Sequence, residues 1–314
     1  MTRLDLVLPL YDEAEALEPV LARIRAVLAE IPDLEWRILL VDDGSRDTTA
    51  EIAARLAEAE PRVVLIVFTR NFGKEAAILA GLEASRGEVV LVMDADLQHP
   101  PELIPQMLAL WRGGARVVEG TKRTRGRESP GARLGAYLFY RLFTRFSGLA
   151  IQNATDFKLL DRQAVDAYCA LPERNRFFRG LIPWLGLPTA QVPFDVPPRS
   201  HGSPSWSRLR LGRLAVDALS AFTSAPLQVI TLVGGLVFLT SLILGGIALY
   251  QKFAGIAVSG FTTVILLLLL LGSALMFSLG VLGTYVARIY EEVKGRPCYL
   301  VDRERSRGIG GDGY

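Results

Sequence analysis

Asp94 and Asp96 stand one residue apart where the apolar run VVLVM ends, in the stretch VVLVMDADLQHPPE, Val89–Glu102. Carboxylates are hard oxygen donors, and two of them suit Mg2+ or Mn2+, above all an ion that also carries a diphosphate. If the run is a β-strand, side chains at i and i+2 share a face, so both carboxylates leave the strand end together. The competing reading is a solvated turn, since Asp and Pro are common turn residues and a strand must stop somewhere.

Other polar groups stand at comparable places. Apolar runs alternate with helical patterns: LDLVLPL, then a helix from about Glu13 to Glu30; WRILLVDDGS, then Thr48 to Glu60; VVLIVFTR, then Lys74 to Ser85; and EVVLVMDAD. These four βα steps predict an α/β domain with a mostly parallel sheet. Ligands of such sheets bind beyond the carboxyl ends of the strands. There the chain places Tyr11 and Glu13 after Pro9, then Asp42, Asp43 and Ser45, then Asp94, Asp96 and Gln98. Asp42 and Asp43 read equally as caps for the helix beginning near Asp47; their convergence with the later pair favours a nucleotide site. The tail GIGGDG, Gly308–Gly313, matches G-x-G-x-x-G but has no strand before it or helix after it, and no P-loop motif occurs.

Composition bounds the setting. Mean hydropathy is +0.29 over 314 residues, high for a wholly soluble chain. The net charge of +2 hides an asymmetry: residues 1 to 110 hold 10 basic and 20 acidic groups, whereas Arg112 to Arg145 hold nine basic groups against Glu119 and Glu128. A basic segment after an acidic domain implies an anionic partner there. No nucleic-acid-binding signature accompanies it, so nucleic acid is not expected. Cys169 and Cys298 have neither metal nor redox spacing, which fits a reduced, cytoplasmic setting.

No charge occurs between Asp217 and Lys252, nor between Lys252 and Arg288. Both stretches exceed the roughly 20 residues that a bilayer span requires, and two transmembrane helices are expected near 226–250 and 261–287. A buried core hairpin is the alternative, but both stretches are apolar all round. Arg208, Arg210 and Arg213 precede the first, and Arg288, Lys294 and Arg296 follow the second. Positive residues stay inside, so both termini are expected in the cytoplasm, with a short outer loop around Lys252. The N-terminus shows no signal peptide. The expected organisation is a catalytic domain over 1–200, an amphipathic juxtamembrane segment over 201–225, the spans within 226–287, and a cytoplasmic tail over 288–314.

LPLYDEAEAL, LLVDDGSRDTTAEI, RNFGKEAAILAGLEASRGEVVLVMDADLQHPPE, NATDFKLLDRQAV and PERNRFFRG, with two spans and GTYVARIYEEVKGRP, resemble the polyprenyl-phosphate glycosyltransferases of glycosyltransferase family 2. Within that group the chain looks most like the bacterial bactoprenol (undecaprenyl-phosphate) glucosyltransferases, from about Leu4 to Val301. The resemblance implies a GT-A fold, a nucleotide-sugar donor, Mg2+ or Mn2+, inversion at the sugar carbon, and residence in the bacterial inner membrane. By it Asp42 and Asp43 bind the nucleotide, Asp94 contacts the nucleoside or supports the metal, and Asp96 with Gln98 ligates the metal. Pro9, Tyr11, Glu13 and Ser45 fall in the donor-binding motifs, and Lys74 is a donor-side candidate or an exposed helix-start lysine. Asp156 takes the position of the catalytic aspartate, against a turn or helix-cap carboxylate. Two departures stand out: Asp12 replaces the usual Asn of Tyr-Asn-Glu, and Pro204 in GSPSW removes a hydroxyl and a backbone donor from the juxtamembrane loop.

The segment Thr121–Phe146 mixes arginines with Tyr137, Phe139, Tyr140, Phe143 and Phe146. Core packing or an interfacial helix explains the aromatics. Arg123 and Arg133 match the spacing of the phosphate-binding pair in the family, and Arg forks suit phosphate; Arg125 and Arg127 read as loop charges. The expected partners are a nucleotide-sugar, first UDP-glucose, a polyprenyl phosphate and the bilayer. A homo-oligomer, a downstream flippase and a membrane glycosyltransferase are left open, as are GDP-mannose, galactose and aminoarabinose donors. A processive glycan synthase would carry Gln-x-x-Arg-Trp, which is absent. A non-catalytic scaffold would not need Asp94, Asp96 and Asp156.

Overall fold

The computed structural model describes residues 1–96, 98–123, 154–174, 176–195, 225–255 and 260–308. By contacts the chain divides into two units: the described residues up to 195 join Pro297 onward in one, and two long helices make the other.

The first unit is a sheet covered by helices. In chain order come β1 (Thr2–Leu10), α1 (Ala14–Ala29), β2 (Leu34–Asp42), α2 (Thr49–Ala59), β3 (Val63–Val67), α3 (Lys74–Ala84) and β4 (Val89–Val92). Then follow α4 (Ile104–Arg112), β5 (Val117–Lys122), β6 (Ala154–Asp161), α5 (Arg162–Cys169), α6 (Phe178–Trp184) and β7 (Thr189–Phe194). The four expected βα steps are present. The strand order is β3-β2-β1-β4-β6-β5-β7, and β6 alone runs against its neighbours. This is a GT-A-like mixed sheet. β3 and β4 are buried at every residue, as expected of strands covered on both faces. On α1, Leu17, Val20, Leu21, Ile24 and Leu28 recur at helical spacing and fill one face of the core.

Close approach of α3 to the sheet depends on one small residue. A Cβ at Gly81 would lie 2.2 Å from Val7 Cγ1 on β1. The glycine lets α3 lie low across β1 and β2, with Ala76 to Leu82 all buried.

At the outer edge of β3 the chain returns from the far end of the sequence. Thr69 N–H donates to Leu300 O at 3.0 Å, Val67 N–H to Ser306 Oγ at 3.0 Å, and Leu65 N–H to Arg307 O at 2.9 Å. Alternate outward N–H groups of this edge are thereby satisfied, which removes an exposed strand template. The sequence reading set 288–314 apart as a tail; in the structure Pro297–Gly308 belongs with the sheet.

The second unit contains α7 (Ala225–Phe253) and α8 (Phe261–Val293). Each includes a 24-residue stretch long and apolar enough to cross a membrane, Ile230–Phe253 and Leu270–Val293, with none of it buried inside the protein. The core-hairpin alternative would bury these faces, whereas Leu232, Leu236, Ile243, Leu268, Met276 and Phe277 point outward. Both helices run past the expected ends, to Phe253 and Val293. The segment Thr121–Phe146, read as core-packing or interfacial, and the amphipathic segment expected over 201–225 fall mostly on 124–146 and 201–224, outside the described residues.

Beside the carboxyl end of β4, Lys158 on β6 and Glu119 on β5 are direct cross-strand partners. They form an ion pair in which the lysine is 1% exposed. Removing one partner of such a pair strands a buried charge, typically costing about 3–5 kcal/mol, whereas replacing both with apolar groups is close to neutral. Lys158→Met is therefore expected to lower the thermal midpoint of the purified protein sharply, and Lys158→Met with Glu119→Leu to recover most of that loss. Equal destabilisation of the single and double variants would contradict the pairing.

Candidate active site

A cleft of about 300 Å3 opens where β1, β2 and β4 end. The segment after β1 contributes Tyr11 and Glu13 beside Pro9, and the segment after β2 contributes Asp43. The β3–α3 connection contributes Asn71, Gly73 and Lys74, and the segment after β4 contributes Asp94 and Asp96. One expectation needs correction: β4 stops at Val92, so a loop rather than a strand face presents the two carboxylates. They meet in the cleft all the same.

Antiparallel pairing brings in the next carboxylate. β4 and β6 pair Val89 with Asp161 and Val92 with Lys158, and Asp156 lies two residues further along β6, past the end of β4. Lys74, at the start of α3, closes the gap: its Nζ lies 2.5 Å from Asp94 Oδ1 and 2.5 Å from Asp156 Oδ2. Arg179 on α6 forks onto the same carboxylate, with Nε 2.7 Å from Oδ1 and Nη2 2.8 Å from Oδ2. Asp156 is 3% exposed and sits within a strand, which rules out the turn or helix-cap alternative. Burial alone would raise its pKa, but the Arg179 fork and the Lys74 ammonium outweigh that and hold it well below the usual carboxylate range. The two carboxylates likewise raise the Lys74 pKa against burial.

Arg179 was not singled out in the sequence, although RNRFFRG holds it. Its partner is 23 positions away in the chain, and only the packing of α6 against β6 joins them. Glu75 fixes the start of α6 by accepting the Phe178 N–H at 2.9 Å, and burial pushes its pKa up to about 7. His99 was also left without a role. It is buried, stacks on Phe157 at 5.1 Å and accepts the Asp94 N–H at Nδ1, 2.9 Å away, so it sets the backbone that carries Asp94.

Behind the cleft a second group of carboxylates shapes the loops. Asp43 accepts the N–H groups of Phe72 at 2.6 Å and Gly73 at 2.9 Å, tying the β2 end to the β3–α3 connection. Burial raises its pKa, and these bonds oppose the shift. Asp42 is fully buried and lies off the cleft lining; it accepts the Ser45 hydroxyl, whose oxygen in turn accepts the Asp12 N–H. Neither aspartate caps α2, because Asp47 accepts the Thr49 N–H instead. Gly44, at φ +66°, passes so close to Arg70 that a Cβ would lie 2.5 Å from its carbonyl carbon. Gln98 is buried off the cleft lining, and its backbone N–H donates to Asp96 Oδ1 at 3.1 Å. Arg123 follows the end of β5 in the open, 3.7 Å from Asp195, and Arg133 lies outside the described residues.

Whether a divalent cation suits the cleft is a question of donors and charge. Among the described residues no three His, Cys, Asp or Glu side chains form a ready-made cage. Yet the Glu13 carboxyl is pushed up to about 7, first by burial and then by Asp96 and Asp94. Crowded acid groups beside an open cleft match the habit of Mg2+, which takes one or two carboxylates and fills its shell with phosphate and water oxygens. The residues fit such an ion when it arrives with a diphosphate.

Comparison with known proteins agrees with this geometry. The family model described as glycosyl transferase family 2 matches residues 5–168. The SfII prophage-derived bactoprenol glucosyl transferase of Shigella flexneri is 35% identical over 303 residues, covering 96% of this chain and 98% of that one. The bactoprenol glucosyl transferase of Shigella phage SfV is 35% identical over 307 residues, covering 97% and 100%. Among solved structures, mannosyl-3-phosphoglycerate synthase from Rubrobacter xylanophilus shares the fold at a TM-score of 0.50 and 22% identity, over 72% of this chain and 74% of that one. The matched residues take in the whole cleft lining from Pro9 to Asp96, with Asp156 beyond it, and the chain belongs to glycosyl transferase family 2 and is a glycosyltransferase.

Proposed function

We propose that this glycosyltransferase moves a hexose, with inversion, from a nucleotide-sugar to a polyprenyl phosphate at the cytoplasmic face of a bacterial inner membrane. UDP-glucose and undecaprenyl phosphate are the first choices, by likeness to the bactoprenol glucosyl transferases. The observation that carries the reading is the bridge of Lys74 between Asp94 and Asp156 inside the acid-lined cleft. It joins the donor side of the site to the carboxylate at the catalytic position.

The residue roles follow from charge. Asp43, Tyr11 and Glu13 frame the donor, with Asp42 and Ser45 holding that wall from behind. Asp96, with Asp94 in support, would hold Mg2+ or Mn2+, which when bound supplies charge compensation to the departing diphosphate, and Gln98 braces Asp96 through its backbone N–H. A phosphate monoester has a second pKa near ~6, so the acceptor is already largely a dianion at neutral pH. It needs little help from a base. Asp156, held ionised by Arg179 and Lys74, is a poor proton acceptor and a good anchor: it fixes two cations where an anionic oxygen must be aligned. Arg123 and Arg133 are assigned to the lipid phosphate.

Two helices of spanning length separate segments of one folded unit, since residues before α7 and after α8 both belong to the sheet. Both chain ends then lie on the side of the catalytic domain. Maleimide labelling from outside intact cells is expected to reach a cysteine introduced at Gly255, in a variant lacking Cys169 and Cys298, and to miss one introduced at Thr2. The reverse pattern would overturn this topology.

Transfer from labelled UDP-glucose or GDP-mannose to undecaprenyl phosphate, with Mn2+ and with chelator, tests the reaction itself. The expected product is a lipid-phosphate-sugar formed only with metal. Asp96→Ala is expected to cut turnover roughly 10- to 100-fold or more with an unchanged thermal midpoint, since loss of a metal-site group weakens metal and diphosphate binding together. Near-normal turnover by the folded variant would remove Asp96 from the metal site, and a polymeric product would favour a processive synthase.

A further inference from the structure

The segment that follows α8 reaches the wall of the cleft through a stack of rings. Tyr299 lies face to face with Phe68, at 4.9 Å between centroids and 13° between planes. Phe68, fully buried just past β3, meets Phe72 edge-on at 5.8 Å and 88°. The Phe72 N–H then donates to Asp43 Oδ1 at 2.6 Å, and Asp43 lines the cleft together with Asn71, Gly73 and Lys74. The Tyr299 hydroxyl also donates to Glu83 near the end of α3, the helix whose first residue is Lys74. One side chain thus grips both elements that bracket the β3–α3 connection. Beside it, Leu300 O accepts the Thr69 N–H at 3.0 Å, the first backbone amide of that connection to leave β3 in this direction.

On the cleft side the connection is held by backbone contacts: the Phe68 N–H donates to Asp42 O at 2.9 Å, and Gly44 packs against the Arg70 backbone. Gly73 lies at φ +102° with open space where a Cβ would stand, and the Arg70 guanidinium rests over the Phe72 ring at 4.0 Å and donates to Asn71 O at 3.1 Å. The Asp43 bonds tie the connection down on the cleft side, and the ring stack ties it down on the opposite side. Aromatic stacking is geometrically selective, so replacing a ring by a smaller group loosens the position of what it packs against.

Resting on the donor-site reading above, we infer that Tyr299 is a positioning residue for the nucleotide-sugar: from outside the cleft it sets the 69–74 connection and, through Phe72, the Asp43 wall. It touches no substrate. Its consequence is that the donor half of the site is completed by polypeptide lying beyond the second membrane-length helix, so donor binding depends on the last part of the chain.

The test uses the full-length protein in detergent micelles and titrates UDP and GDP, each with Mn2+. For whichever nucleotide the wild type binds, Tyr299→Ala is expected to weaken binding roughly 3- to 30-fold, the range seen when a residue acts on a site through packed neighbours. Tyr299→Phe, which keeps the ring and loses the hydroxyl that meets Glu83, is expected within about twofold of wild type, and its rescue separates ring stacking from hydroxyl bonding. Under saturating donor, the KM for undecaprenyl phosphate is expected to be unchanged in both. Tyr299→Leu, which fills the space without a ring, stands in if the alanine variant does not fold, and is expected to behave like it. Wild-type nucleotide affinity in the Ala or Leu variant would overturn the inference, as would equal losses for donor and acceptor together with a lowered thermal midpoint. A wild-type protein that binds neither nucleotide would instead sink the donor-site reading, and this inference with it.

Discussion

Charge compensation in the cleft governs much of this structure. Glu13, Asp43, Asp94 and Asp96 line one opening, with Asp156 buried at its base, and carboxylates brought this close repel one another and lose water. Lys74 and Arg179 are the cations that meet Asp156, and Lys74 also meets Asp94. Each requires a different piece of fold: α3 lying low on β1 over Gly81 for the lysine, and α6 pinned by Glu75 for the arginine. Reversal of β6 supplies their shared partner. The fold therefore gathers a nest of acids with two cations to hold its base together, while Glu13, Asp43 and Asp96 line the opening above it.

This division of labour explains why acid groups with similar sequence settings do different work. Asp42 and Asp43 are neighbours in the chain. Asp42 faces inward to Ser45 and is fully buried, whereas Asp43 faces the cleft and organises the 72–73 backbone. Asp94 depends on His99 for the placement of its backbone, and Asp96 receives the Gln98 N–H. Supporting contacts of this kind fix geometry before any ligand binds, which is what an active site needs if it is to spend binding energy on reaction rather than on ordering itself.

The parts of this arrangement that sequence makes legible are the local ones. Alternating apolar runs and helical spacing mark β1 through β4 with their helices, and uncharged stretches mark α7 and α8, because both signals are written in consecutive residues. Asp94, Asp96 and Asp43 stand out because they terminate those runs. What sequence does not disclose depends on chain reversal and distant pairing. The antiparallel pairing of β6 with β4 and the bridge of Lys74 bring Asp156 and Asp94 together, the packing of α6 joins Arg179 to Asp156, and the return of Leu300–Arg307 to β3 joins distant parts of the chain. Asp94 and Asp96 share the cleft although the strand ends before either, because the loop after β4 turns both toward it.

A double-mutant cycle on Lys74→Met and Asp156→Asn, read as kcat/KM for transfer from nucleotide-sugar to polyprenyl phosphate, addresses the bridge most directly. If the two side chains act as one unit, each single variant already forfeits what the pair provides. The account then expects the double variant to fall within roughly threefold of the worse single one, since residues that act together are strongly non-additive. Losses that simply multiply would show that Lys74 and Asp156 act independently, and would contradict the bridge as the organising contact of the site.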